Sequence, residues 1–320
     1  MPDDTVTGTL GGAFAASLRT LVGDEAARRS RFGVAVSGGP DSMALLDLAA
    51  GIAPGRVEAA TVDHGLRPEA AAEAEMVGRW CRERGIVHLI LKPATPITGS
   101  LQAEARAVRY ALLHDWMAAR GLGWLLTAHH ADDQLETMLM RLNRASGLAG
   151  LAAIRARRGK VLRPLLGVRR TDLGAYVRAL DIPYINDPSN GDARFDRVRL
   201  RGALAQADWL DPVAAARSAA ALGEAEAALQ WTVARLSDER MRDDGGIVTL
   251  DPDGLPREYL HRLLMRMVRL AAPDAPEPRG EQIHQAISQL LDGKRLSIGA
   301  CVATGGAQWT VSRAPPRRTG

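Results

Sequence analysis

A short segment near the N-terminus combines residue types that together can hold an anion. Ser37 and Ser42 enclose Gly38 and Gly39, and apolar residues lie on both sides of the segment. Paired glycines allow a sharp turn, and the free N–H groups of a helix that follows would point back at that turn. The segment therefore predicts a phosphate-binding loop between a strand and a helix.

Asp41, which follows Pro40, is the unusual residue of this loop. Loops of the type GxxxxGK[ST] place a lysine beside the phosphates, and no such string occurs in the chain. A carboxylate would repel phosphates unless a divalent cation lay between them. We therefore expect Asp41 to bind Mg²⁺ and to link it to the β- and γ-phosphates of a nucleotide.

Two further polar clusters end predicted strands. Asp63 and His64 follow the run Val57 to Val62, and the string HHADD at 129–133 follows the run Trp124 to Thr127. By itself the first cluster also fits a turn in which Asp63 caps a backbone amide and Gly65 takes a positive φ.

The second cluster is rich in groups that titrate. Zinc is disfavoured there because no HxxxH or CxxC spacing accompanies it. Asp132 or Asp133 as a helix N-cap, with Glu136 completing a capping box, is an alternative that is compatible with catalysis.

The elements that must position these clusters follow from apolar runs. Runs at 33–36, 57–62, 87–91 and 124–127 are each followed by a helical pattern, of which Leu101 to Arg120 is the clearest. This alternation predicts a parallel sheet with crossover helices. Ligands of such sheets bind at the carboxyl ends of the strands, so the three clusters should converge on one edge.

Composition and charge narrow the class of protein. The chain has 320 residues, 46% of them hydrophobic and 24% charged, as in soluble globular proteins. Its acidic start and the interruption of the apolar stretch by Asp47 favour neither a signal peptide nor a membrane span, so we expect a cytoplasmic protein. Cys81 and Cys301 lie 220 positions apart, which argues against a zinc knuckle, a disulfide framework or a dithiol redox centre.

Positive charge is concentrated in one part of the chain. The net charge is +4, yet residues 151–201 contain 12 Lys plus Arg against 5 Asp. This block is a candidate anion-binding face. The alternative is a generally arginine-rich composition, since only three of the 41 basic residues are lysines.

The pattern changes after about residue 201. We predict one or two helices over Ala203 to Met241, helices over Tyr259 to Leu270 and Glu281 to Leu291, and short strands over Leu296 to Val311, with a turn at Gly305-Gly306. We therefore expect two domains, 1–208 and 209–320, the second being smaller, mostly helical and of α+β type.

The clusters together resemble the PP-loop ATP pyrophosphatases, whose mark is SGGxDS after the first strand. Further segments resemble tRNA(Ile)-lysidine synthases in particular, and they run in order from about residue 30 to 202. They are VDHGLR, EARAVRY, TAHHADDQLET, RPLL, PYINDPSN and FDRVRLR. The resemblance implies a Rossmann-like α/β fold of the adenine-nucleotide α-hydrolase (PP-loop) type, with a C-terminal domain that recognises tRNA.

The resemblance also implies a reaction. Members attach free L-lysine to the wobble cytidine of the isoleucine tRNA with a CAU anticodon, through an adenylated cytidine, with release of AMP and pyrophosphate. Residues expected to bind ATP are Ser37, Gly38, Gly39, Pro40, Asp41, Ser42, Asp63, His64, Arg106 and Arg109. Candidate catalytic residues are Asp41, His130, Asp132 and Asp133, the last three as alternative bases for the lysine amine. Candidate partners of tRNA phosphates are Arg197, Arg199 and Arg201.

Two other functions stay open at this point. A PP-loop enzyme that transfers sulfur to tRNA would need a persulfide cysteine or an iron–sulfur cluster, for which Cys81 and Cys301 are poorly placed. A sensor that binds ATP without chemistry would leave the HHADD string without a role. The sequence does not decide between a monomer and a homodimer.

Overall fold

The computed structural model describes residues 4–63, 65, 69–93, 101–185 and 196–315. The chain divides into two compact units, Met1–Gly223 and Glu224–Gly320. The division of functions at residue 208/209 stays a prediction.

A mostly parallel sheet lies at the centre of the first unit. Its strand order is β3-β2-β1-β4-β6-β5, and of the pairs in it only β5 with β6 is antiparallel among the described residues. The strands are β1 (Phe32–Ala35), β2 (Val57–Val62), β3 (Val87–Leu91), β4 (Trp124–Leu126), β5 (Arg157–Arg158) and β6 (Val161–Leu162). Because β2 and β4 flank β1 on opposite sides, the chain reverses its winding direction between β1 and β4. A crevice at such a point is where open α/β sheets bind ligands.

Helices cover both faces of this sheet. On one face a core of Phe14, Leu45 and Val177 joins helices to the strands, and on the other Leu113 and Trp116 pack against Leu125. The helices are α1 (Asp4–Val22), α2 (Asp24–Arg29), α3 (Pro40–Ile52), α4 (Glu69–Glu83), α5 (Leu101–Arg120), α6 (Ala131–Leu142), α7 (Leu148–Leu151), α8 (Arg170–Ala179) and α9 (Asp196–Leu204); α10 (Pro212–Arg240) contains the division between the units.

Close packing fixes the elements that carry the site. Gly33 lies in β1, where an added Cβ would lie 2.7 Å from a ring carbon of Trp116. Glycine therefore lets α5 approach the sheet closely. On the other face, the Tyr176 hydroxyl donates a hydrogen bond of 2.7 Å to Asp47 and so holds α3 against α8.

The second unit contains an antiparallel sheet packed against helices. Its strand order is β7-β8-β11-β10-β9, and its core is built around Trp309, Leu263 and Ile287. The elements are β7 (Met241–Asp244), β8 (Ile247–Leu250), α11 (Arg257–Ala271), α12 (Gly280–Leu291), β9 (Arg295–Ile298), β10 (Cys301–Thr304) and β11 (Trp309–Arg313). The turn at Gly305-Gly306 joins β10 to β11, and Gly306 has a φ of 117°.

The predicted fold class is confirmed, and the predicted strands of the parallel sheet agree with the structure to within one residue at each end. The hairpin of β7 and β8 was not predicted, because residues 242–258 were left without an element between two predicted helices. No described helix is both long and apolar enough to cross a membrane.

Candidate active site

The loop Ser37–Ser42 joins β1 to α3 as a turn with free backbone donors. Gly38 has a φ of 84°, in the left-handed region that favours glycine. The Ser42 hydroxyl donates to the Gly39 carbonyl at 2.9 Å and lies 3.3 Å from the Ser37 hydroxyl. No side chain caps the N-terminus of α3, whose first residue is Pro40. The backbone N–H groups of its first turn are therefore available to an anion, as the sequence predicts.

Asp41 points from this loop toward the end of β4. Its Oδ2 lies 3.6 Å from Nε2 of His130, whereas its Oδ1 is buried and has no hydrogen-bond partner in the described part of the chain. A buried carboxylate oxygen without a donor is costly unless a cation binds it. The structure thus brings together two of the clusters that the sequence singled out.

His130 lies in an acidic pocket, which we define as Asp41, Asp132 and Asp133 around the buried imidazole. Its Nδ1 lies 3.5 Å from Asp132 and its Nε2 3.6 Å from Asp133. Burial lowers the pKa of His130, but the hydrogen bonds to Asp132 and Asp41 and the charges of Asp133 and Asp41 outweigh it and raise the pKa to about 10. The imidazole therefore carries a proton at neutral pH in this arrangement.

The carboxylates of the pocket are also held by backbone groups. Asp133 accepts a hydrogen bond from the His130 amide at 3.1 Å, and Asp132 accepts one from the Arg170 amide at 2.8 Å. Burial acts to raise the pKa of Asp132, but the hydrogen bonds to His130 and the Arg170 amide outweigh burial and lower the pKa below its usual value. The predicted capping pattern was wrong: His130 is the N-cap residue of α6 and the Asp133 carboxylate bonds back to the His130 backbone amide, whereas Glu136 bonds elsewhere.

Glu136 is a buried carboxylate whose pairing the sequence did not predict. Its two oxygens accept hydrogen bonds of 2.6 Å each from Nε of Arg197 and Nε of Arg201, and Arg197 also bonds Asp133 at 3.1 Å. These contacts hold α9 against α6. Arg197 and Arg201 were predicted as tRNA contacts, a role that stays a prediction, and Arg199 on the same helix is exposed.

A second pocket, the basic pocket, surrounds His129 and contains Arg106, Arg109 and Arg163. Burial and then the charges of Arg163, Arg106, Arg109 and Arg197 lower the pKa of His129 to about 3. The ring therefore stays neutral at physiological pH, and its Nδ1 lies 3.0 Å from the Thr127 hydroxyl. Arg106 and Arg109 were predicted as nucleotide contacts, whereas His129 and Arg163 were not named as site residues.

Asp63 takes part in a local turn at the end of β2. Its carboxylate accepts a hydrogen bond of 2.9 Å from the Gly65 amide, Gly65 has a φ of 67°, and Lys92 lies 3.4 Å from the other oxygen. This is the turn geometry that the sequence offered as the alternative. Its role in binding nucleotide stays a prediction, and His64 lies outside the described residues.

The described residues include potential metal ligands and both thiols of the chain. In the part of the chain that the structure describes, no group of three His, Cys, Asp or Glu side chains has the arrangement needed to bind a metal ion without other ligands. Mg²⁺ commonly takes one or two carboxylates together with phosphate oxygens and water, and Asp41 fits that chemistry. Both cysteines are buried, and burial raises the pKa of Cys81 to about 12.

A parallel sheet with a glycine turn and a helix N-terminus at its switch point, and an aspartate where a lysine would be expected, defines a PP-loop protein. The PP-loop domain family matches residues 12–208. A U34-tRNA thiolase, NcsA from Methanococcus maripaludis, solved with its [4Fe-4S] cluster, has a similar fold. Its TM-score is 0.54 at 18% identity, over 66% of this chain and 78% of that one.

Curated relatives narrow the class. The tRNA(Ile)-lysidine synthase of Zymomonas mobilis is 40% identical over 297 residues, which cover 90% of each chain. That of Novosphingobium aromaticivorans is 43% identical over 295 residues, covering 89% of this chain and 90% of the relative. The chain belongs to the tRNA(Ile)-lysidine synthase family, so the resemblance seen in the sequence is confirmed.

Proposed function

We propose that the chain uses ATP to attach free L-lysine to the wobble cytidine of the isoleucine tRNA with a CAU anticodon. The observation that carries this proposal is the contact between two strand ends. Asp41 of the phosphate-binding loop lies 3.6 Å from His130 of the acidic pocket. One crevice therefore offers donors for phosphates beside carboxylates suited to a cation and an amine.

The first step of the proposed reaction activates the base. The cytidine 2-oxygen attacks the α-phosphorus of ATP, and the bond from that phosphorus to the bridging oxygen breaks, so that pyrophosphate leaves. The backbone N–H groups of the loop, with the Ser37 and Ser42 hydroxyls, bind the leaving phosphates. Asp41 would hold Mg²⁺, which when bound neutralises phosphate charge. His130 lies 3.6 Å from the Asp41 carboxylate and orients it.

The second step forms the carbon–nitrogen bond. The lysine ε-amine attacks C2 of the cytidine, and the bond from C2 to the adenylated oxygen breaks, so that AMP leaves. An ammonium ion is not a nucleophile, so a base must take its proton. Protonated His130 is a poor base in the arrangement described, which favours Asp132 or Asp133 among the three candidates.

The thiol chemistry of this chain supports lysine transfer over sulfur transfer. A persulfide requires an accessible, readily ionised thiol, whereas Cys81 is buried and its pKa is raised to about 12. Two cysteines are also too few for an iron–sulfur cluster held by cysteines.

We assign tRNA recognition to residues 209–320. Residues 224–320 contain 13 basic and 13 acidic residues, so the whole net charge of +4 resides in the first unit. Recognition by the second unit should therefore depend on shape and hydrogen bonds, with little dependence on salt. The cytoplasmic location stays a prediction, and a homodimer stays one candidate oligomeric state.

Transfer of labelled lysine to tRNA tests the proposed function. The full chain, ATP, Mg²⁺ and labelled lysine are incubated with transcripts of isoleucine tRNA that carry either CAU or GAU anticodons. We expect label on the CAU transcript alone, with unlabelled lysine competing and other amino acids failing to compete. Label on neither transcript, or modification that requires a sulfur donor, would exclude the proposal.

A further inference from the structure

Arg163 is a buried guanidinium whose hydrogen bonds are incomplete. It follows β6 at the carboxyl end of the strand, and the residue is only 6% exposed. One terminal nitrogen donates to the Arg155 carbonyl at 2.7 Å, but Nε is buried and has no hydrogen-bond partner among the described residues. An unpaired buried donor on a charged group costs free energy of folding, so an acceptor from a bound ligand would stabilise the Arg163 Nε–H.

The sheet register places Arg163 beside His129. β4 pairs with β6 through Leu126 and Leu162, and the Thr127 amide donates to the Leu162 carbonyl at 3.0 Å. Arg163 and Thr127 therefore leave adjacent strands at the same edge, and Thr127 holds His129 by its hydroxyl. The basic pocket is thus assembled on the same rim as the phosphate-binding loop.

The positive charge of this pocket is poorly compensated by protein groups. Burial and the charge of Arg106 lower the pKa of Arg109, whereas only the weakly acidic Tyr110 raises it. Of the arginines around His129, Arg197 pairs with carboxylates, namely those of Asp133 and Glu136. No such pair is found for the half-buried Arg109 or the buried Arg163 within the described residues, so both lack an acidic partner there.

We infer that His129, Arg109 and Arg163 form a subsite for a phosphate group, in addition to the loop Ser37–Ser42. A guanidinium presents a planar fork of donors that matches a phosphate, and a dianion would compensate the charge of the pocket. If the Thr127 hydroxyl donates to Nδ1 of neutral His129, the Nε2–H of the ring can donate to a phosphate oxygen. The inference rests on the proposed function in one respect: the molecule that carries this phosphate is either ATP or tRNA.

The test compares binding of separate phosphate ligands to full-length variants. Arg163→Gln and His129→Asn are compared with Arg29→Gln, which removes an exposed arginine that pairs only with Glu25 in the described part of α2. Calorimetry measures the binding of pyrophosphate, of ATP with Mg²⁺, and of a CAU anticodon stem–loop RNA. Loss of a charged hydrogen bond predicts about ten- to a hundred-fold weaker binding by both site variants and unchanged binding by the control.

The pattern of weakened binding identifies the source of the phosphate. Weaker pyrophosphate and ATP binding assigns the subsite to the nucleotide, and weaker RNA binding alone assigns it to tRNA. Unchanged binding of all three ligands by both variants overturns the inference.

Thermal unfolding separates a binding role from a purely structural one. Without ligand, Arg163→Gln should unfold within a few degrees of the wild type, since an uncompensated charge is removed along with one hydrogen bond. The stabilisation that pyrophosphate or RNA gives to the wild type should be reduced. Marked destabilisation with undiminished ligand stabilisation in Arg163→Gln, together with normal binding by His129→Asn, would show a structural role and overturn the inference.

The wild-type transfer assay keeps this inference distinct from the proposed function. Should the wild type fail to transfer lysine while Arg163→Gln still loses phosphate binding, the proposed function falls and the subsite stands. If the wild type transfers lysine and both variants bind phosphate fully, the subsite is excluded and the proposed function stands.

Discussion

His129 and His130 are consecutive residues in opposite electrostatic environments. Arginines surround His129 and, with burial, lower its pKa to about 3. Carboxylates surround His130 and raise its pKa to about 10 in spite of burial. Side chains of consecutive residues in extended backbone point to opposite sides, and His130 as N-cap of α6 has a φ of −127° and a ψ of −179°.

The difference teaches how one strand end can serve two kinds of ligand. In our proposals the basic pocket binds phosphate, whereas the acidic pocket binds a metal ion and an amine. Both lie where β4 ends, beside the switch point between β1 and β4. Residue type alone therefore says little about these histidines, because the neighbours contributed by α3, α5, α6 and β6 decide their charge.

The largest effect should come from breaking the acidic pocket at Asp41. Asp41→Asn removes the charge that would bind Mg²⁺ and pairs with His130, so pyrophosphate release should fall about a hundredfold or more. Binding of tRNA should stay nearly unchanged. Steady-state assays of pyrophosphate release and filter binding of tRNA measure the two effects, with exposed Asp24→Asn as the control. Normal turnover of Asp41→Asn would exclude the metal-binding role.

The next effect should come from Glu136, where acidic and basic residues meet. Glu136→Gln leaves Arg197 and Arg201 without their buried charged partner, so α9 should loosen and the free energy of unfolding should fall by about 2 kcal/mol. Lysine transfer should fall with it. Urea unfolding measures the loss of stability. The control is Glu25→Gln, which breaks an exposed pair with Arg29 and should cost at most about 1 kcal/mol. Equal effects of the two substitutions would contradict the proposed role of Glu136.

A smaller effect should separate two arginines of α9. Arg199 is exposed, whereas Arg201 bonds Glu136. Arg199→Ala should therefore reduce the dependence of log K on log salt for tRNA binding by about 0.7 to 0.9 for each phosphate that the arginine neutralises. Arg201→Ala should change stability more than this slope. Titrations of tRNA at several salt concentrations measure the slopes, and an unchanged slope for Arg199→Ala would show that this side chain binds no tRNA phosphate.

The last effect concerns the acid stability of the basic pocket. Folding lowers the pKa of His129 from about 6.5 to about 3, so the folded state loses stability as pH falls from 6.5 toward 3. His129→Asn cannot gain a proton and should lose less stability over this range. Urea unfolding at pH 7 and pH 4.5 measures the change in the free energy of unfolding, with exposed His114→Asn as the control. The same pH dependence in all three proteins would contradict a charged environment around His129.

Much of the first unit was predictable because local pattern and function coincide there. Apolar runs indicated β1 to β4, and the spacing of Leu101 to Arg120 indicated α5 with both of its ends. The loop Ser37–Ser42 was predictable because glycine, hydroxyl and helix start are adjacent in sequence. The hairpin of β7 and β8 was missed although Asp244, Gly245 and Gly246 form a typical turn. No element was predicted between Met241 and Tyr259, although the predicted helix end lies within one residue of the end of α10.

The pairings within the site were less predictable, because they join residues far apart in the chain. Nothing local to Glu136 indicates that Arg197 and Arg201 would bond to it, and capping was the natural local expectation. Arg163 is one of many basic residues in 151–201, and the sequence did not indicate that this arginine is buried whereas others are exposed to solvent. The opposite environments of His129 and His130 depend on the direction of each side chain, which sequence alone does not give.

The most direct test of the central claim is a single transfer measurement. Purified protein, ATP, Mg²⁺ and labelled lysine are incubated with the CAU-anticodon isoleucine tRNA, and label on the wobble nucleotide is compared with AMP and pyrophosphate released. The site predicts one AMP and one pyrophosphate for each lysine attached, and no transfer by Asp41→Asn. Lysine attached without AMP release, or full transfer by Asp41→Asn, would contradict an adenylating site at the end of β1.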